Sequence, residues 1–339
     1  MTSPSAPLTW TTPASVVRHP QNPILAPNQI PYPASLVFNA GVTRFEGRYV
    51  MLFRNDYGST EEDWRPFREG RAEAPPALRT TLGLAHSHDG IHWEVAPQPC
   101  WEIHDEEVYR VYDPRITVIE GKAYVCFAMD TRHGIRGGIA CTRDFSRFDI
   151  LSLSVPDNRN MVLFPEKIGG GYFRLERPFP IYSRGRDRFD IWSGRSPDLR
   201  YWGDHELVLG VEHLPYANDK IGPAAPPIKT RKGWLVTLHA VWRAPSRNLG
   251  GWERSWHKTY YAGLMLLDLE NPAKVIGVSR QPLIVPEASY ERQGFRNDVI
   301  FPCGMIEEPS GEVKIFYGAA DTVIAVASST VEELLRLCE

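Results

Sequence analysis

The sequence predicts an all-β protein, a five-bladed β-propeller ending in a short C-terminal helix. Three observations carry this. Helix-type periodicity is scarce, and short β-branched or aromatic runs are punctuated throughout by Gly, Pro, Asn and Asp. A loose two-part repeat also marks out five units. Its first part is a glycine leading into a strand: Gly47 to Phe53, Gly121 to Phe127, Gly171 to Leu175, Gly233 to Leu238 and Gly311 to Tyr317. Its second part is a strand running into a turn with an acid: Leu84 to Trp93, Ile139 to Phe145, Trp192 to Trp202 and Gly263 to Leu269. A small sheet cannot bury both faces alone, so such units pack around an axis. A β-sandwich with long loops would explain the strands but not the repeated pairing of the two parts.

Taken in order, Met1 to Val16 is polar and Pro/Ser/Thr-rich, without the basic-then-apolar progression of a secretory leader. Residues 1–20 are expected to form an N-terminal extension of a single propeller domain spanning 1–339. Two long polar loops interrupt the units. One is Asn55–Ala77. The other is Arg243–His257, with Arg247, Arg254, Trp252 and Trp256 and with Trp242 beside it. Loops of this length in a compact scaffold usually carry function. Residues 330–338 read as a helix: Ser329 or Thr330 caps it, Glu332 and Glu333 suit its first turn, and Leu334, Leu335 and Leu337 follow.

The 339 residues are 42% hydrophobic and 23% charged, a balance that buries a sizeable core. A net charge of −3 supplies no global field for nucleic acid or an anionic membrane, and no apolar run is long enough to span a bilayer. Cys100, Cys126, Cys141, Cys303 and Cys338 lack metal-ligand spacing and read as reduced thiols, so the expected location is cytoplasmic. The scattered histidines argue against a metal site. There is no Gly-x-Ser-x-Gly elbow and no P-loop, and Gly169-Gly170-Gly171 lies in a turn between strands rather than before a helix. Ten tryptophans and fourteen tyrosines offer stacking surfaces for sugars, or simply fill sheet cores.

The candidate site is organised around Tyr112-Asp113-Pro114-Arg115. An acid between an aromatic, a proline and an arginine at the mouth of a strand can be held rigidly and shifted in pKa. Asp-Pro is also a common turn initiator. Comparable strand ends in the other units carry Asn39, Arg54 with Asp56, Asn158-Arg159-Asn160, Arg177, His239, Tyr260 and Asp321. Singly these are weak signals: a lone histidine such as His239 is more often a satisfied core residue, and Arg177 reads equally as an ion-pair partner of Glu176 or Glu166. Their origin in all five units is the stronger observation, because propellers build sites where blades converge on the axis.

The strings Phe38-Asn39-Ala40-Gly41-Val42, Tyr112-Asp113-Pro114-Arg115, Asn158 to Lys167, Ser196 to Trp202, Leu266 to Pro272, Phe301-Pro302-Cys303-Gly304 and Tyr317 to Thr322 together resemble glycoside hydrolase family 130. They occur in order from about Asn22 to Ala327. The resemblance implies a five-bladed propeller acting on β-mannosides, as an inverting phosphorylase or, in some branches, a hydrolase. It implies that Asp113 is the catalytic acid, passing its proton to the glycosidic oxygen through the mannose 3-hydroxyl. Asn39, Arg54, Asp56, Tyr112 and Asp321 would hold the sugar. Arg159, Arg177, His239 and Tyr260 would bind inorganic phosphate, with Lys167 a competitor for part of that role and Tyr261 adjacent to Tyr260.

The chemistry is consistent with these residues. Inverting hydrolysis needs an acid plus a base that activates water. Phosphate is already anionic, so a cationic cradle can replace the second carboxylate. Burial would raise the Asp113 pKa and Arg115 would lower it. The expected reaction consumes a β-mannosyl saccharide and phosphate, yields α-mannose 1-phosphate, and needs no cofactor and no metal. Two other readings are a β-mannosidase using Asp56 or Glu291 as base and a non-catalytic sugar-binding propeller. Linkage and acceptor are decided in the long loops. Those loops and the terminal helix are also surfaces from which a homo-oligomer could be built.

Overall fold

A computed structural model of the protein describes residues 9–68, 71–72, 78–180, 189–244 and 258–339. Residues 69–70 and 73–77 of the first polar loop lie outside the described residues, as do 245–257 of the second with Arg247, Trp252, Arg254 and Trp256. Five antiparallel sheets follow one another along the chain. Blade 1 consists of Leu36–Phe45, Arg48–Tyr57, Arg79–Ser87 and Glu94–Val95. Blade 2 consists of Val108–Ile119, Lys122–Thr131, Gly134–Thr142 and Asp149–Leu153. Blade 3 takes Asn158–Leu163, Tyr172–Pro178, Ile191–Ser196 and Gly203–Leu209. Blade 4 takes Lys220–Pro223, Trp234–Arg243, Lys258–Leu267 and Val275–Val278, with Ile228–Lys229 also paired to its second strand. Blade 5 is built from Ile300–Glu307, Glu312–Ala319 and Val323–Thr330.

The fourth strand of blade 5 comes from the other end of the chain. Val17–Arg18 pairs antiparallel with Val323–Thr330, Val17 opposite Ser328, and so closes the ring. The closure is fastened by Arg18, whose guanidinium donates to both carboxylate oxygens of Glu291 at 2.7 and 3.0 Å. Glu291 is completely buried and also accepts from the Tyr317 hydroxyl at 2.8 Å. It therefore clasps blade 5 and is no candidate base.

The core is a ring of five interfaces rather than one centre, because each blade buries both faces against its neighbours. Tyr49 and Phe316 meet edge to face between blades 1 and 5, while Leu52 and Val125 share the core between 1 and 2, and Cys126 and Leu163 that between 2 and 3. Leu175 and Trp234 fill the 3–4 interface, and Leu264 and Ile315 the 4–5 interface. The first strands of blades 1, 2, 3 and 5 crowd together around the axis.

The terminal helix runs Val331–Leu337, and the Thr330 hydroxyl caps it by accepting from the Glu333 amide. Two helices were not expected from the sequence, Glu61–Arg68 (α1) and Ser289–Arg292 (α2). The first starts on a reciprocal cap. Asp63 accepts from the Thr60 amide at 2.6 Å, and Thr60 accepts in return from the Asp63 amide. Pro66 and a largely polar surface had hidden it in an apparent loop. Among the described residues no helix is long and apolar enough to cross a membrane. All five cysteines are unpaired thiols.

Candidate active site

A cavity of about 650 Å³ opens on the axis and draws its walls from all five blades. Its floor is made by a repeated irregularity. The first strands of blades 1, 2 and 3 each break register at the same place, at Phe38/Gly41, Tyr112/Arg115 and Arg159/Val162. Within each break one residue takes a left-handed backbone: Asn39 (φ 48°), Asp113 (φ 53°) and Asn160 (φ 57°). Asn and Asp tolerate that conformation better than other side-chain-bearing residues, and a bulge re-aims the side chain it carries. Three polar groups are thus turned from the sheets into the cavity. The sequence carried the signal as three Asn or Asp residues at matching strand positions, but it could not show the conformation.

Asp113 is nearly buried, and its Oδ1 accepts from Asn39 Nδ2 at 3.0 Å and lies 3.5 Å from Arg54 Nη1. Arg115 does not bind the carboxylate. It is buried beneath, donating to the Asp113 carbonyl at 2.6 Å and to Ala224 O at 3.0 Å, so it fixes the bulge. Burial pushes the Asp113 carboxyl up, but the charges of Arg54, Arg115 and Arg159 and the Asn39 hydrogen bond outweigh it and leave its pKa lowered. Gly318 in blade 5 makes the Asn39 contact possible: a Cβ there would stand 2.3 Å from Asn39 Oδ1.

Arg54 is itself held flat between the rings of Phe38 and Tyr112, at 4.6 and 4.9 Å, while Asp56 grips it through both oxygens. Asp56 also accepts from Thr80 at 2.7 Å. The Tyr112 hydroxyl donates to Asp130 and receives a long 3.4 Å contact from Arg159 Nη1. Across the cavity, Asp321 pairs with Arg296 at 3.2 Å, and burial raises its carboxyl pKa.

Arg159 and Arg177 are register partners in blade 3 and lack carboxylate partners among the described residues. The Nε atoms of both and Nη2 of Arg177 are buried without a hydrogen bond. Burial, together with Arg159, pushes the Arg177 guanidinium down to about 9. A site that leaves such donors unsatisfied is arranged for an anion. Tyr260 lines the same wall, whereas Tyr261 packs edge-on against Tyr216.

Two expected phosphate contacts stand elsewhere. His239 is fully buried behind Arg177, its Nε2 3.2 Å from Arg177 Nη1. Burial, and then the charge of Arg177, hold its pKa well below the usual histidine range, so it is a neutral acceptor that positions the arginine. Gly222 gives that pair its space: a Cβ there would stand 2.3 Å from His239 Cε1. Lys167 is exposed, pairs with Glu120 at 3.2 Å and does not line the cavity. Closeness in sequence to Asn158–Asn160 does not bring it to the site, because those residues open the strand Asn158–Leu163 and Lys167 lies in the turn beyond its far end.

Sequence reasoning also missed several wall residues. Lys220, from the first strand of blade 4, sits between the Phe189 and Tyr260 rings, and its pKa is lowered well below that of a free lysine by burial and by Arg177. Arg110, Lys258 and Arg296 join it, so seven cationic side chains face three carboxylates among the described lining residues. A single lysine opening the four-residue strand Lys220–Pro223 is an ordinary pattern, so nothing in the sequence singled Lys220 out.

A family model described as β-1,4-mannooligosaccharide phosphorylase, glycoside hydrolase family 130, matches residues 16–339. A β-1,4-mannooligosaccharide phosphorylase from Ruminococcus albus is 32% identical, over 94% of this chain and 89% of its own length. A β-1,2-mannobiose phosphorylase from Listeria innocua is 28% identical, over 96% of this chain and 99% of its own. The solved structure of the β-1,2-mannobiose phosphorylase from Listeria innocua, in complex with β-1,2-mannobiose, superposes with a TM-score of 0.80, covering 95% of this chain and 99% of that one.

Proposed function

The chain belongs to glycoside hydrolase family 130, and on that premise we propose that it is a β-mannoside phosphorylase working by inversion. Inorganic phosphate attacks C1 of a β-mannosyl unit. The C1–O bond to the leaving sugar breaks, the leaving oxygen takes a proton, and α-mannose 1-phosphate results. No cofactor is required; phosphate is a co-substrate.

The observation that carries this reading is the buried acid Asp113 set in one cavity with Arg159 and Arg177, whose guanidinium donors are left unsatisfied. Asp113 is the proposed proton donor, acting through the mannose 3-hydroxyl. Arg159, Arg177, Lys220 and Tyr260 are the proposed phosphate contacts, with His239 holding Arg177 in place. Asn39, Arg54, Asp56, Tyr112 and Asp321 are the proposed sugar-side residues. A hydrolase would need a free second carboxylate as base. Asp56 and Asp321 are each engaged by an arginine, and Glu291 lies in the ring clasp.

The test is to supply β-1,2- and β-1,4-linked mannobiose and mannotriose with and without phosphate and to analyse the products. Mannose 1-phosphate that appears only with phosphate is the expected result, and free mannose formed regardless of phosphate would overturn the reading. Asp113→Asn should lower kcat by roughly 10²- to 10⁴-fold, the usual contribution of a general acid.

A further inference from the structure

Beside the axial cavity lies a second one, of about 580 Å³, lined by Ser35, Ser59, Thr60, Gln293, Asn297 and Thr322. The two share Trp64 and Phe295 as a common wall. Those rings meet edge to face, with centroids 4.9 Å apart and planes at 85°. Trp64 is brought there by α1, and Phe295 is tied down by its amide, which donates to Thr322 Oγ1 at 2.7 Å. The chemistry of the two cavities differs sharply. The first is dominated by charge, whereas no Asp, Glu, Lys, Arg or His is among the described residues lining the second. Hydroxyls and amides beside an aromatic wall suit a neutral polyol and offer nothing to an anion.

Position adds an independent argument. Inversion places the nucleophile and the leaving group on opposite faces of C1. The anion-directed wall comes from blades 3 and 4 through Arg159, Arg177 and Lys220. In a ring of five, the side facing blade 3 is the junction of blades 5 and 1. The second cavity lies there: Leu36 opens blade 1, Thr322 lies in the turn between two strands of blade 5, and Gln293 and Asn297 lead into blade 5. A leaving sugar displaced away from blades 3 and 4 passes Trp64 and Phe295.

Building on the phosphorylase reading, we propose that the second cavity is a subsite for the sugar unit beyond the leaving one. The favoured substrate then has at least three units, the mannosyl group at Asp113, a middle sugar against the Trp64–Phe295 wall, and a third sugar in the neutral cavity. Trp64 is the residue that discriminates chain length.

The experiment compares kcat/KM for a β-mannotriose and the β-mannobiose of the same linkage at saturating phosphate. The expected result is a preference of about tenfold for the trisaccharide, expressed in KM, the scale of one well-packed aromatic contact. Trp64→Ala should bring the ratio close to one. Gln293→Trp, which fills the cavity from an exposed rim position, should do the same and guards against a folding defect in the first variant. Equal kcat/KM values in the unaltered protein, or a preference that survives Gln293→Trp, would overturn the proposal. If free mannose were released in place of mannose 1-phosphate, the phosphorolysis reading would fall. The trisaccharide-to-disaccharide ratio of that hydrolysis would still decide the second cavity.

Discussion

Asp113 is pulled in two directions. Burial favours its neutral form, and Arg54, Arg115 and Arg159 favour the carboxylate, which prevails among the protein's own groups. A proton donor must be neutral when it acts, so the proposed reaction needs something to reverse that balance. Phosphate bound against Arg159 and Arg177 would do it, because an added anion offsets the guanidinium field and raises a neighbouring carboxyl. The sign is fixed: activity needs protonated Asp113 and is lost as pH rises through its pKa in the complex. The alkaline limb of the rate profile is therefore expected to move to higher pH as phosphate approaches saturation. Profiles at limiting and saturating phosphate check this, and a limb that stays put or moves down would refute it. The string around Asp113 was legible in the sequence. The left-handed turn of its backbone and the direction of its pKa were not, since both depend on groups brought in from blades 1 and 3.

At the scale of the elements, the two-part repeat proved to be a physical unit. Each of the five glycine-led runs became the second strand of a blade. The four acidic turns became links between third and fourth strands, and in each the acid accepts a main-chain amide two residues on. Asp89 takes Ile91 and His92, Asp144 takes Ser146, Asp198 takes Arg200 and Tyr201, and Asp268 takes Glu270 and Asn271. In blade 5 the helix Val331–Leu337 stands where the turn would be, which explains why the repeat has no fifth acid. Buried Ser196 completes the blade 3 turn by accepting from the Leu199 amide at 2.8 Å. Ser196→Ala should cost about 1 kcal/mol, read as a lower urea midpoint with an unchanged m-value. What stayed hidden were elements without a periodic signature. Helix α1 depends on the Thr60–Asp63 cap rather than on an apolar stripe, and Val17–Arg18 is too short to announce itself.

At the scale of the whole molecule, stability depends on the ring staying shut. Among the described residues Arg18 is the only cation paired with Glu291, and Glu291 has no exposed surface of its own. Removing one partner of a buried pair leaves an uncompensated charge. Arg18→Ala is expected to destabilise the protein by roughly 3–5 kcal/mol, a larger penalty than for exposed pairs such as Arg147 with Asp149. Denaturant titration of Arg18→Ala and Arg147→Ala would check the contrast. Similar small losses in both would show that the clasp is not what keeps the ring closed.

The pairing of Val17 with Ser328 also sets a schedule. Of the described strands in the ring, Val17–Arg18 leaves the ribosome first, and its partner strand Val323–Thr330 leaves last. The earliest-made strand must wait with its edge unpaired while the intervening blades stack, and the final interface forms only once the last hairpin is free. Contacts so distant along the chain form late and slowly. The vulnerable moment in the life of this protein is thus an open arc of four blades, with the apolar faces of blades 1 and 4 still exposed to other chains.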